Sequence, residues 1–80
     1  MNEDIQNSLD ALQDSVYEIN KIIDNNLTAE NEIKFLKANI DHLNIMLAKA
    51  EIDSALVGEN RTKVENAVTA GNAYHAANQA

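Results

Sequence analysis

The sequence has no cysteine, no proline and no tryptophan, only two glycines, and six basic residues against thirteen acidic ones. Without cysteine there are no disulfides, no thiolate metal sites and no thiol nucleophile. Without proline, and with glycine confined to Gly58 and Gly71, little in the chain interrupts a helix. The aromatic residues are Tyr17, Phe35 and Tyr74, too few for a sheet-forming composition, so an all-α chain is expected. Long apolar runs are missing as well. The longest uncharged one, Ile45-Met46-Leu47-Ala48, is a single helical turn, far short of the roughly 20 residues a membrane span requires. The acidic start, Met1-Asn2-Glu3-Asp4, leads directly into amphipathic sequence and does not read as a secretory signal. A net charge of −7 repels phosphate backbones and anionic membrane surfaces, so neither nucleic acid nor a membrane is an expected partner.

What the sequence does contain is two matching apolar stripes. The first is Ile5, Leu9, Leu12, Val16, Ile19, Ile23; the second is Ile33, Leu36, Ile40, Leu43, Leu47, Ala50. Steps of three and four alternate in both, which is the period of a coiled-coil seam. Folding back near Leu27–Thr28 sets Ile23 opposite Ile33, Ile19 opposite Leu36, Val16 opposite Ile40 and Leu12 opposite Leu43. Leu9 then meets Leu47 and Ile5 meets Ala50. The competing arrangement is one continuous helix through residues 24–30 in a parallel oligomer, which a coiled coil accommodates as a stammer.

Helix 1 is predicted over 3–24. Acidic Glu3 and Asp4 suit its positive N-terminal end and Lys21 its last turn, and Asp24-Asn25-Asn26 marks the stop. Helix 2 is predicted over 29–57, with Thr28 as its N-cap, Glu30 and Glu32 in the first turn, and Gly58 as the left-handed residue that ends it. Thr62 and Glu65 have capping-box spacing for a shorter third helix over 63–78, fraying through Ala73–Ala80. The whole chain, 1–80, reads as one helical domain: an antiparallel coiled-coil hairpin with a shorter third helix, oligomeric.

Helix 2 carries a second stripe. On a wheel with Leu43 at the origin, Ile45, Ile52 and Leu56 lie at about 180–220°, facing away from helix 1. Two covers are open. Helix 3 can fold back so that Leu56 meets Val64, Ile52 meets Val68, Ala48 meets Gly71 and Ile45 meets His75. Alternatively the stripe is a dimer or partner surface. The candidate interface residues are Ile45, Ile52, Leu56, Val57, Val64 and Val68.

No chemistry-bearing constellation accompanies them. His42 and His75 lack partners at metal-ligand spacing, and no phosphate loop, H-E-x-x-H or G-x-S-x-G occurs. No catalytic, metal or cofactor residue is assigned, and an enzyme is not expected. Tyr17 and Phe35 flank the seams, and Ile22 and Leu27 extend apolar surface near the turn. Lys34, Lys37, Lys49, Arg61 and Lys63 are too scattered to make a phosphate-tracking face.

A small, Cys-free, Asn-rich, acidic helical chain of this layout, ending Val68-Thr69-Ala70-Gly71-Asn72-Ala73-Tyr74, resembles the small helical proteins carried by tailed phages. The resemblance implies an accessory role in virion assembly or host interaction, with the host cytoplasm or the virion as location, and it carries over no site residue. The leading expectation is a non-enzymatic interaction or assembly protein that self-associates and binds a protein partner. The alternative is a nucleic-acid-linked regulator: an RNA-hairpin binder or an acidic inhibitor of a basic nucleic-acid-binding protein.

Overall fold

The computed structural model describes residues 3–79; Met1, Asn2 and Ala80, which the expected domain bounds and the reading of the N-terminus include, lie outside the described residues. Four helices follow in order: α1 (Glu3–Asp24), α2 (Glu30–Leu47), α3 (Ala50–Ala55) and α4 (Gly58–Ala77). The described residues are helix and turn, with no strand among them. Helices α1, α2 and α4 each pack against the other two, and α3 closes one end against α1 and α2. The envelope, 42 × 20 × 19 Å, matches three helices of about 10 Å diameter side by side.

α1 has the predicted bounds, and its stop has a physical cause. Asn26 takes a left-handed φ of 52°. That conformation lets the Asn26 amide donate to the Ile23 carbonyl at 3.1 Å and the Leu27 amide to the Ile22 carbonyl at 3.0 Å. This is a Schellman closure, with asparagine at the position glycine usually takes. α2 then starts at Glu30 after an extended Ala29, and no side chain caps it. The expected Thr28 cap is not formed.

The long helix 2 is where expectation and structure part. Instead of running to residue 57, the helix ends at Leu47 and restarts at Ala50, with Lys49 extended at φ −86°, ψ 122° between them. The local sequence, Met46-Leu47-Ala48-Lys49-Ala50, consists of good helix formers, so the break is imposed by packing. A straight helix aims Ile52 and Leu56 away from helix 1. The bend brings them inward, where they are 4% and 2% exposed. Burying two such side chains contributes about 1.5–3 kcal/mol each, against about 0.5–1.5 kcal/mol for each ladder hydrogen bond lost at the break. Burial wins. Ile45 lies before the bend and stays outside at 62% exposure.

α4 also departs from expectation. It begins at Gly58, whose φ is 64°, and not at residue 63. Gly58 is left-handed as anticipated, but it turns the chain into α4 rather than closing one long helix. The capping box does not form: the Thr62 hydroxyl donates back to the Gly58 carbonyl and Glu65 accepts from Arg61. At 20 residues α4 is longer than the 18-residue α2, so the third long helix is not the shorter one. Its buried face is made of small residues, Val64, Ala67 and Gly71. They admit α4 deep into the groove between α1 and α2: a Cβ built on Gly71 meets Ile40 Cδ1 and Cγ1 at 3.0 Å and Ile19 Cγ2 at 3.3 Å. Gly71 therefore packs on Ile40 and Ile19, not on Ala48, which is exposed. At the far end the Tyr74 hydroxyl donates to the Leu27 carbonyl at 2.7 Å, fixing α4 to the α1–α2 turn.

Candidate functional site

The six candidate interface residues do not share one surface. Ile52, Leu56 and Val64 are buried in the chain's own core, and Val68 packs against that core while partly exposed. Ile45 and Val57 remain on the surface at 62% and 65% exposure. Tyr17 and Phe35 are the other large apolar side chains left exposed. Ile22 is core, and Leu27 packs on it at the turn. His75, expected opposite Ile45, instead borders a shallow groove with Thr28, Glu30, Ile33 and Lys34.

By helical position Ile45 sits on the outer face of α2 with Lys34, Ala38 and Asp41. The two charges there are paired along the helix, Lys34 with Glu30 at 3.3 Å and Lys37 with Asp41 at 2.6 Å. An exposed isoleucine framed by internally neutralised ion pairs can enter a contact without leaving a charge unpartnered.

A second feature lies between α1 and α4, where Gln13, Val16, Tyr17, Asn20, Lys63, Asn66, Ala67 and Ala70 line an open groove of about 480 Å³. Its rim is mostly amide and its floor is small. The Gln13 Nε2 is shut off from solvent with no hydrogen-bond partner, a cost the groove region bears in the free chain.

Two polar contacts escaped the sequence reading. Ser15 Oγ lies 2.9 Å from His42 Nδ1, joining α1 to α2. A serine beside a histidine raises the question of a nucleophile, but Ser15 is only 5% exposed and stands mid-helix, where neighbouring backbone amides are committed to the helix ladder. The pair satisfies a buried hydroxyl. Ser15 adjoins the seam residue Val16 in sequence, and nothing in its spacing singles out His42 as its partner.

Arg61 is the other. Its Nε donates to the Leu56 carbonyl at 2.7 Å, and its Nη2 donates to the Asp53 carbonyl at 2.7 Å and to Asp53 Oδ1 at 2.6 Å. Nη1 reaches Glu65 at 3.3 Å. One guanidinium thus caps the carbonyls that α3 leaves unpaired and ties α3 to α4. The hydrogen bond that Arg61 donates to the Asp53 carboxylate is the main cause holding the guanidinium above its ordinary pKa, so it stays protonated. Glu65 stands four residues on along α4, whereas the reach to Asp53 depends on the turn between α3 and α4.

Among the described residues no group of three or more His, Cys, Asp or Glu side chains is placed to hold a metal ion, and no helix is long and apolar enough to cross a membrane. Comparisons with family models, with curated proteins and with solved structures gave no match to this chain.

Proposed function

We propose that the protein is a non-enzymatic helical interaction and assembly module that self-associates and binds a protein partner. The observation that carries this reading is Ile45, a large aliphatic side chain 62% exposed on the outer face of α2, where the neighbouring charges Lys34 and Asp41 are ion-paired along the helix. Isolated apolar residues are common on surfaces; Tyr17, Phe35 and Val57 expose further apolar area that a partner would cover. In this reading α1 and α2 form the antiparallel coiled-coil hairpin that supplies the rigid frame, and the assembled form is a homo-oligomer. An accessory or structural role in a phage particle, or in its host's cytoplasm, is the setting that fits a small acidic module of this kind.

The test is sedimentation equilibrium of the wild type and of Ile45→Asp across micromolar to millimolar concentration. The expected result is a mass that rises above 8.8 kDa with concentration in the wild type and stays there in the variant, with the same helical circular dichroism. A wild-type mass of 8.8 kDa at every concentration overturns self-association. Salt-dependent binding to RNA, or to a basic nucleic-acid-binding protein, would instead favour a nucleic-acid-linked role.

A further inference from the structure

The break between α2 and α3 has no local cause. It contains neither glycine nor proline, and the N-cap position of α3, Lys49, makes no side-chain capping bond. Residues 46–50 are helix formers, so the same segment is competent to run straight through. What keeps it bent is remote: the burial of Ile52 and Leu56 in the core shared with α1, α2 and α4. An element with one local preference and an opposing tertiary one has two arrangements.

In the straight arrangement, residues 30–55 make a single helix of about 39 Å, which moves the end of α3 about 12 Å beyond the end of α2. α4 then starts clear of its own α1–α2 groove. Ile52 and Leu56 return to the helix face that carries Ile45, within about 40° of one another on the wheel. That face is apolar over three turns and needs a cover. α4 needs a groove containing Ile19 and Ile40 to receive Gly71, and a Leu27 carbonyl to accept from Tyr74. Every other copy of the chain supplies both.

We propose that Ala48–Lys49 is a hinge whose straightening passes α4 to a second copy of this chain, giving an exchanged dimer. The inference rests on the self-association reading and specifies its mechanism. In the dimer each α4 fills its partner's groove with the same contacts it makes at home, and the core burial that Ile52 and Leu56 give up on straightening is replaced where the two stripes meet. The two straightened helices cross antiparallel, and the Ile45, Ile52 and Leu56 stripe of one lies against that of the other. Ile45, which has no role in the monomer's core, becomes the centre of the new contact.

One substitution separates the two arrangements. Ala50 is the first residue of α3 and follows an extended residue at φ −86°, ψ 122°. Both features suit proline: the first helical position tolerates its missing amide hydrogen, and the residue before it is already in the conformation proline demands. In a straight helix the same ring clashes with the Met46 carbonyl, at a penalty of roughly a hundredfold per interior proline. With two hinges per dimer, Ala50→Pro should raise the dimer dissociation constant about ten-thousandfold while leaving the monomer folded. Lys49→Gly keeps the bend and lowers hinge helicity about fivefold per chain, so it should weaken the dimer about 25-fold and serves as a second variant should Ala50→Pro fold poorly.

The experiment is sedimentation equilibrium of wild type, Ala50→Pro and Lys49→Gly, each refolded at millimolar concentration. Alongside it, Asn20→Cys and Ala70→Cys chains, whose positions line the same α1–α4 groove, are mixed, refolded and oxidised. The expected result is a wild-type dimer that weakens in Lys49→Gly and disappears in Ala50→Pro, with a disulfide joining the two different chains. A dimer that survives Ala50→Pro and Lys49→Gly unchanged, or that forms without the cross-chain disulfide, overturns the exchange and leaves self-association standing. A wild type that never dimerises overturns both.

Discussion

Gly71 is the position at which the fit of α4 can be tested most sharply. Replacing it with alanine places a Cβ 3.0 Å from Ile40 Cδ1 and Cγ1 and 3.3 Å from Ile19 Cγ2. Favourable carbon contacts lie at about 3.5–4.0 Å, so Ile40 must yield by roughly half an ångström. Ile40 is 1% exposed and has nowhere open to go. Crowding of this kind costs about 1–3 kcal/mol, offset by about 1 kcal/mol of helix propensity gained when alanine replaces glycine. The net expected for Gly71→Ala is therefore between about zero and 2 kcal/mol of destabilisation. Ile40→Ala alone should cost about 2–5 kcal/mol through the cavity it leaves. In that background the added methyl meets only Ile19, and Gly71→Ala should stabilise by up to about 1 kcal/mol. The double-mutant cycle thus has a coupling of about 1–3 kcal/mol favouring the double variant. Urea unfolding followed by circular dichroism measures it, with a protecting osmolyte present in all four samples so that the weakest stays folded. Coupling below about 0.3 kcal/mol, or a single Gly71→Ala variant stabilised by the full propensity gain, would show that α4 does not sit against Ile40 as described.

Two further outcomes follow from local geometry. His42→Ala leaves the buried Ser15 hydroxyl without its partner, so the urea midpoint should fall by the equivalent of about 1–3 kcal/mol, and adding Ser15→Ala should recover part of that loss; an unchanged midpoint would mean that the hydroxyl re-pairs with a carbonyl of its own helix. Asn26→Gly removes the side-chain penalty of a left-handed residue at φ 52° and should raise stability by a few tenths to about 1 kcal/mol, whereas Asn26→Val should lower it by about 1–2 kcal/mol, and the reverse order in thermal melts would contradict the Schellman closure.

How far the sequence reveals this fold depends on whether local and tertiary preferences agree. In α1 they do. The acidic first turn, the apolar stripe and the asparagine stop all point one way, and the helix has the expected bounds. The seam positions Leu12, Val16, Ile19, Leu36, Ile40 and Leu43 are all buried for the same reason. At the lower end the seam slips: Met46 is buried while Leu47 is only partly so, because the helix is already about to turn. α4 was recognised as a helix, but its start was misplaced. Thr62 and Glu65 have capping-box spacing whether or not they cap, and because the helix already begins at Gly58 both lie inside it, where Glu65 pairs with Arg61 instead.

The candidate surface was harder to read because the wheel assumed one straight helix. Under that assumption Ile45, Ile52 and Leu56 formed a single exposed stripe, and a cover had to be found for all three. The bend divides the stripe at Lys49, sending two residues into the core and leaving one outside. No residue at the break announces it, since a helix-forming segment bends only when the burial it gains exceeds the hydrogen bonds it gives up. The burial comes from elements distant in the chain: α3 packs on both α1 and α2, and Ile5 and Ser8 of α1, more than forty residues away, border the same hollow as Ile52. Periodicity picked out Leu12, Val16, Ile19, Leu36, Ile40 and Leu43, which are buried, but also Ala50 and Ile45, which are exposed. It does not say which of them the chain buries against itself, and the one left over is where contact with another chain is most directly tested.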